Sequence, residues 1–439
     1  MSTREPVETL GGLRASASLL RRNRDFRRLY LASLISLGGD WFLIVSLFGL
    51  VLELTDRAFA IGLTIAAQDL TYFLASPFAG VLADRLDRRL LMVAADLTRA
   101  VLVLGFLLVR TEGTIWLLYL LLAAVSLFSA AFEPASAAAL PNLVDERDLS
   151  TANALSGSLW GTMLAVGAGL GGIVAAALGR DAAIAIDAVS FVVSALLILR
   201  IRAAFSTAPE SREHASIAAD TVETVRYARR DHRVLALLGV KFGWGIAGGV
   251  LVVIPVLAHE TFNAGDAVLG LLLAARGVGA LLGPFAGRAM LGDRDRRMFL
   301  AISLSLGVFG IGYALVGLTG TLLLVVPMVT LAHLGGGATW TLSGYGLQRI
   351  VPDRIRGRIF AFDGMLVTLT FGISSLLNGV LADQIGAPRT ALVMGCVALV
   401  WALIWSWLTG DVRRATMIDG CGEPPGLDIA SPGPRPDVP

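Results

Sequence analysis

Five ionisable side chains interrupt stretches of this sequence that are otherwise apolar: Asp40, Asp69, Lys241, Arg276 and His333. Charge in an apolar environment is costly, so it is kept where it faces a polar path, pairs with an opposite charge or carries a proton. The two carboxylates fall in the first half of the chain and Lys241 and Arg276 in the second. A carboxylate that alternates between burial and water binds and releases protons, which makes Asp40 and Asp69 candidates for proton coupling. A static ion pair across the join of the two halves is the competing reading. Asp40 follows the flexible pair Gly38-Gly39, and His333 reads as a packed polar residue before a titrating switch. Trp41, Gln68, Trp244, Trp340 and Asn378 add polar or aromatic surface, and with Lys241, Arg276 and His333 they form the candidate surface for a small-molecule cargo.

Other chemistry is not spelled. Cys396 sits in an apolar run and Cys421 in the tail, so no structural disulfide is expected, and there is no cysteine or histidine cluster for a metal. No phosphate-binding glycine loop with its lysine appears, and no segment is large enough for a soluble ATP-hydrolysing domain. No cofactor is expected and the chain does not read as an enzyme.

The elements that must position these residues are apolar. The chain is 55% hydrophobic and 16% charged, with mean hydropathy +0.73, well above an ordinary soluble protein. About 20 residues cross a bilayer core as a helix. Twelve such runs are read, at about 29–52, 59–82, 89–110, 114–138, 152–178, 182–201, 234–258, 267–290, 297–318, 321–345, 359–382 and 387–409. No alternating strand pattern suits a barrel, so the expected fold is all-α, a polytopic membrane protein. At 1.5 Å per residue, Asp40, Asp69 and Arg276 fall near mid-depth, His333 is also central, and Lys241 lies nearer the inside.

The charged turn from Pro77 to Arg89 is echoed one half-length later, where Pro284-Phe285-Ala286-Gly287 leads to Asp293-Arg294-Asp295-Arg296-Arg297. Two related halves imply pseudo-symmetric six-helix bundles. The expected organisation is an amino-terminal segment 1–28, a first bundle 29–201, a linker 202–233 with a basic amphipathic helix, a second bundle 234–409 and a disordered tail 410–439. Arginine clusters at 21–28, 85–89, 226–233, 294–297 and 354–358 all fall on one side of this topology, and only Arg57, Arg110, Arg180 and Arg389 fall in loops on the other. That bias places both termini in the cytoplasm. With the arginines dispersed and a net charge of +2, no nucleic-acid partner is expected.

Gly80-x-Leu82-Ala83-Asp84-Arg85-x-x-Arg88-Arg89 resembles the cytoplasmic signature loop of the major facilitator superfamily, with Asp87 where that family usually has glycine. Gly39-Asp40-Trp41, Pro141-Asn142-Leu143-Val144 with Ala152-Asn153-Ala154-Leu155, and Asp187-Ala188-Val189-Ser190-Phe191 look like the bacterial branch that contains enterobactin exporters and macrolide efflux proteins. The glycine-rich span five resembles the antiporter motif of the superfamily, with Ala168 in place of its usual proline. The resemblance implies alternating access and a bacterial cytoplasmic membrane. It also implies a proton-coupled exporter of a small amphipathic organic molecule, drug-like or siderophore-like, with lipid and protons as its other partners and a monomer as its expected state. A lipid translocator or a non-transporting receptor is the alternative.

In that fold Gly80, Asp84, Arg85, Arg88 and Glu133 form a cytoplasmic gate, in which Arg88 pairs with Asp84 or with Glu133 at the inner end of span four. Asp96 and Asp187 lie outside the cavity and make helix-packing hydrogen bonds, Asp96 with Arg99.

Overall fold

The computed structural model describes the backbone of residues 5–205, 217–291 and 297–419. Within these ranges it describes side chains except at 5–13, 80–81, 83–85, 217–223, 291, 353–354 and 415–419. All the described elements are helical, and twelve helical runs are long and apolar enough to cross a membrane. An amino-terminal helix, α1 (Glu5–Arg22), precedes six crossings. These are α2 (Arg24–Thr55), α3 (Ala58–Arg85), α4 (Arg88–Leu104, extended by a 3₁₀ turn to Leu108), α5 (Ile115–Leu143), α6 (Glu146–Leu178) and α7 (Arg180–Leu199). A connecting helix, α8 (Ile217–Arg230), leads to six more crossings. The first is α9 (His232–Gly248), which continues through a 3₁₀ turn, the short α10 (Val253–Val256) and a π turn to Thr261. The others are α11 (Gly265–Leu291), α12 (Met298–Leu318), α13 (Leu322–Ile350), α14 (Asp353–Ile385) and α15 (Ala387–Leu408), after which α16 (Gly410–Asp419) closes the described chain. The two sets of six form two bundles. Twelve crossings return the chain to the face it left, called here the termini face; its opposite is the far face.

Several caps explain where the crossings start. Asn23 accepts the Phe26 amide at 2.9 Å and donates its own amide to the Leu143 carbonyl at 2.7 Å, fastening the start of α2 to the end of α5. Asp87 accepts the Leu90 amide at 2.9 Å and begins α4, which gives a physical use to the residue that departs from the glycine of the resembled loop. Asp231 caps α9 through the Arg233 amide.

Helices run past the apolar cores in several places. Residues 353–358 already belong to α14, and α5 continues through Pro141 to Leu143. The disorder expected after Thr409 does not hold at 410–419, which are helical; residues 420–439 lie outside the described chain. Large apolar side chains such as Leu323, Leu403 and Trp407 are more than 70% exposed, as a surface solvated by lipid requires.

Candidate functional site

At the far face the two bundles close on each other along two seams. In one, α3 meets α14: a Cβ at Gly62 would lie 2.4 Å from the Ser375 carbonyl oxygen, and one at Gly379 would lie 2.7 Å from the Phe59 Cα. Asp383 of α14 accepts the first amides of α3, from Ala58 at 2.6 Å and Phe59 at 3.2 Å, so one half caps a helix of the other. In the second seam α6 meets α11, where Gly172 and Gly270 allow backbone contact that no side chain would permit.

A charged network joins the same ends. Arg180 Nε donates to Asp266 Oδ2 at 2.8 Å and Nη1 donates to Glu53, while His259 Nε2 stands 3.3 Å from Asp266 Oδ1. The two bundles are thus sealed against each other at the far face.

Beneath that seal the seam carries charge and aromatic rings. Arg276, on α11, lies with its guanidinium carbon 5.8 Å from the Trp41 ring and 5.7 Å from the Trp160 ring. The two indoles meet edge to face at 6.0 Å, and Trp160 is 48% exposed. Arg276 makes no hydrogen bond or ion pair among the described residues, and its Nε and the Trp41 Nε1 are buried without a partner. Asp69, on α3, lies beside Gly372 of α14 and within Coulombic reach of Arg276, yet it too makes no hydrogen bond or ion pair among the described residues. On the opposite wall Trp244 packs on Phe371 at 5.1 Å and on Trp340 at 5.8 Å, and Trp340 is 44% exposed.

The amino-terminal bundle buries a second polar cluster. Asp96 is ion-paired with Arg99 and accepts the Ser194 hydroxyl at 2.6 Å, as helix-packing bonds should. Arg99 lies over the Phe132 and Phe191 rings. Asp187 accepts from Ser190 at 3.3 Å, leaves its Oδ2 without a partner and abuts Gly39, where a Cβ would fall 2.3 Å from the carboxylate. Tyr72 donates to Glu133. Asp40 is half-buried, makes no hydrogen bond among the described residues, and lies within Coulombic reach of Arg99, Asp96 and Glu133.

Several expectations change. Lys241 is not a free charge in the cleft: it is 2% exposed, ion-paired with Asp363 within its own bundle and covered by the Trp340 ring at 4.4 Å. His333 is buried with its Nε2 2.8 Å from the Tyr313 hydroxyl, and Asn378 is buried, donating to Ser374. Both are buried within the second bundle, His333 within Coulombic reach of Arg276. Glu133 is not at the inner end of its span, because α5 runs ten residues beyond it; it belongs to the mid-depth cluster. Arg88 donates to the Ala138 and Phe205 carbonyls at 3.0 and 3.2 Å. The side chains of Asp84 and Arg85, the surroundings of Gly80 and the repeated turn at 292–296 lie outside the described residues. Gln68 is exposed beside Asp69. Trp160, Tyr72, Asp363 and the Arg180 network had no signal of their own in the sequence beyond their polarity or size.

Comparison with known proteins follows the same lines. Residues 15–415 match the model of the transmembrane secretion effector family. Macrolide efflux protein A of Streptococcus pyogenes is 23% identical, over 86% of this chain and 95% of its own. Enterobactin exporter EntS of Citrobacter koseri is 26% identical, over 90% of this chain and 94% of its own. In fold, the chain is similar to a bacterial homolog of the human lysosomal transporter Spinster in an inward-facing and occupied conformation. That likeness has a TM-score of 0.69 and 13% identity, and covers 88% of this chain and 97% of the other.

Proposed function

This chain belongs to the transmembrane secretion effector family of the major facilitator superfamily, and on that premise we propose that it is a proton-coupled exporter of a small amphipathic organic molecule. One observation carries the reading. A carboxylate on one bundle and a guanidinium on the other, Asp69 and Arg276, come within Coulombic reach of each other near mid-span, both half-buried and neither one bonded among the described residues. Half-buried charges without partners are costly unless a ligand or a proton completes them.

The arginine-rich termini face is cytoplasmic in this reading, so the cleft is open to the cytoplasm and sealed outside. Cargo enters from the cytoplasm and settles against Trp41, Trp160 and Arg276. The bundles then rock, the Arg180 to Asp266 contacts part, and the outer seams open. Protons arriving from outside displace cargo and are carried back by Asp69 or Asp40. Around Asp40, Asp96, Glu133 and Asp187 the described residues supply one guanidinium, Arg99, so carboxyl groups outnumber cations in this cluster. The turn of Gly80, Asp84, Arg85 and Arg88 serves as the inner gate once the outer one opens.

The test is flux in proteoliposomes. An imposed pH gradient should drive accumulation of a drug-like or siderophore-like solute, and collapse of the gradient should abolish it. Gradient-independent flux would remove the proton, and phospholipid redistribution without solute flux would replace the function with lipid translocation.

A further inference from the structure

We propose that the cargo is zwitterionic and aromatic, bridging the two bundles with its ammonium on Asp69, its anionic group on Arg276 and its ring on Trp160. This rests on the reading of the cleft as the cargo path and names the chemistry it selects. Three independent features point to it. Arg276 is held between the Trp41 and Trp160 rings but bonds to no acceptor among the described residues, so its donors remain for a ligand. Asp69, packed beside Gly372 of α14, lies within Coulombic reach of that charge without closing an ion pair with it, so the two halves offer opposite charges toward one region. Trp160 leaves nearly half its surface uncovered in the same place, a free indole for a planar ring.

A cation would satisfy Asp69 and leave Arg276 bare; an anion would do the reverse. A zwitterion satisfies both, and only it ties α3 to α11 across the seam. The arrangement also supplies the exchange that export needs. A proton on Asp69 removes the acceptor for the cargo ammonium, so proton and cargo compete for one carboxylate.

The test uses one fluorescent scaffold in three charge states: norfloxacin, its ethyl ester and its N-acetyl derivative, which at neutral pH are a zwitterion, a cation and an anion. Binding is read by anisotropy on the full-length protein in detergent, separately from flux. The wild-type protein should bind norfloxacin about tenfold or more tightly than either derivative, because each leaves a buried charge unpaired.

Asp69→Asn should abolish the advantage over the N-acetyl form alone, and Arg276→Gln the advantage over the ester alone. Asp69→Glu and Arg276→Lys keep the charges and should keep the ranking, which separates selectivity from misfolding. Trp160→Ala should weaken all three alike, since a ring contact does not read charge. Equal affinity for the three, no binding of norfloxacin, or Asp69→Asn and Arg276→Gln variants that lower all three in parallel would overturn the inference. Selective binding without any solute flux would instead refute the transport reading and leave the cargo chemistry standing.

Discussion

Replacing Arg180 with glutamine should open the far face. In the sealed state its guanidinium makes contacts of 2.8 and 3.3 Å with Asp266, a residue 8% exposed, and a further contact with Glu53, whose side chain is 67% exposed. The charge-assisted bonds to a nearly buried carboxylate are worth about 1.5–3 kcal/mol, and the exposed Glu53 pair adds under about 1 kcal/mol. With Arg180 gone, Asp266 keeps only His259 beside it.

The sealed state should therefore lose about 2–3 kcal/mol relative to the open one, a shift of about 30- to 150-fold in their ratio. Double electron–electron resonance can read it directly. With Cys396 and Cys421 changed to serine, spin labels at Glu112 and Thr321 flank the far-face opening from opposite bundles. The Arg180→Gln protein should show a longer-distance population that the wild type lacks. An unchanged distance distribution would mean that the glycine seams and the Asp383 cap hold the seal and that the Arg180 network contributes nothing to gating.

Three further outcomes are expected. Asp40→Asn should leave cargo able to equilibrate but not to accumulate against its gradient, measured in loaded proteoliposomes; unchanged concentrative export would send the proton role to Asp69 or to a different group. Lys241→Met should strand Asp363, 2% exposed, as a lone buried charge and lower stability by about 3–5 kcal/mol. The double variant Lys241→Met with Asp363→Leu should recover most of that loss in thermal unfolding, and failure to recover would point to a role beyond packing. Asp84→Asn should insert normally, by immunoblot of the membrane fraction, while transport falls; normal efflux would remove the inner gate from the mechanism.

Much of the architecture was legible because hydrocarbon imposes it. Twelve apolar runs had to be helices, and the depth of Asp40, Asp69 and Arg276 followed from counting residues. What failed was partnership. Lys241 looked like a cleft cation because Asp363, 122 positions away, stood near the expected start of its span; with α14 beginning at Asp353, that carboxylate drops to the depth of the lysine. Glu133 was misplaced because α5 runs past the expected end at 138 to Leu143. Arg180 looked like a stray loop charge, although its acceptors come from α2 and from the other bundle. Hydropathy reports burial in lipid but not which helices face one another.

Asp383 lends its carboxylate to the Ala58 and Phe59 amides only while the bundles meet at the far face. Each excursion to the open form must hand those two N–H groups to water, so they become exchangeable once per cycle. Deuterium uptake at Ala58 and Phe59 is then a built-in clock for the transporter, counting openings whether or not cargo leaves.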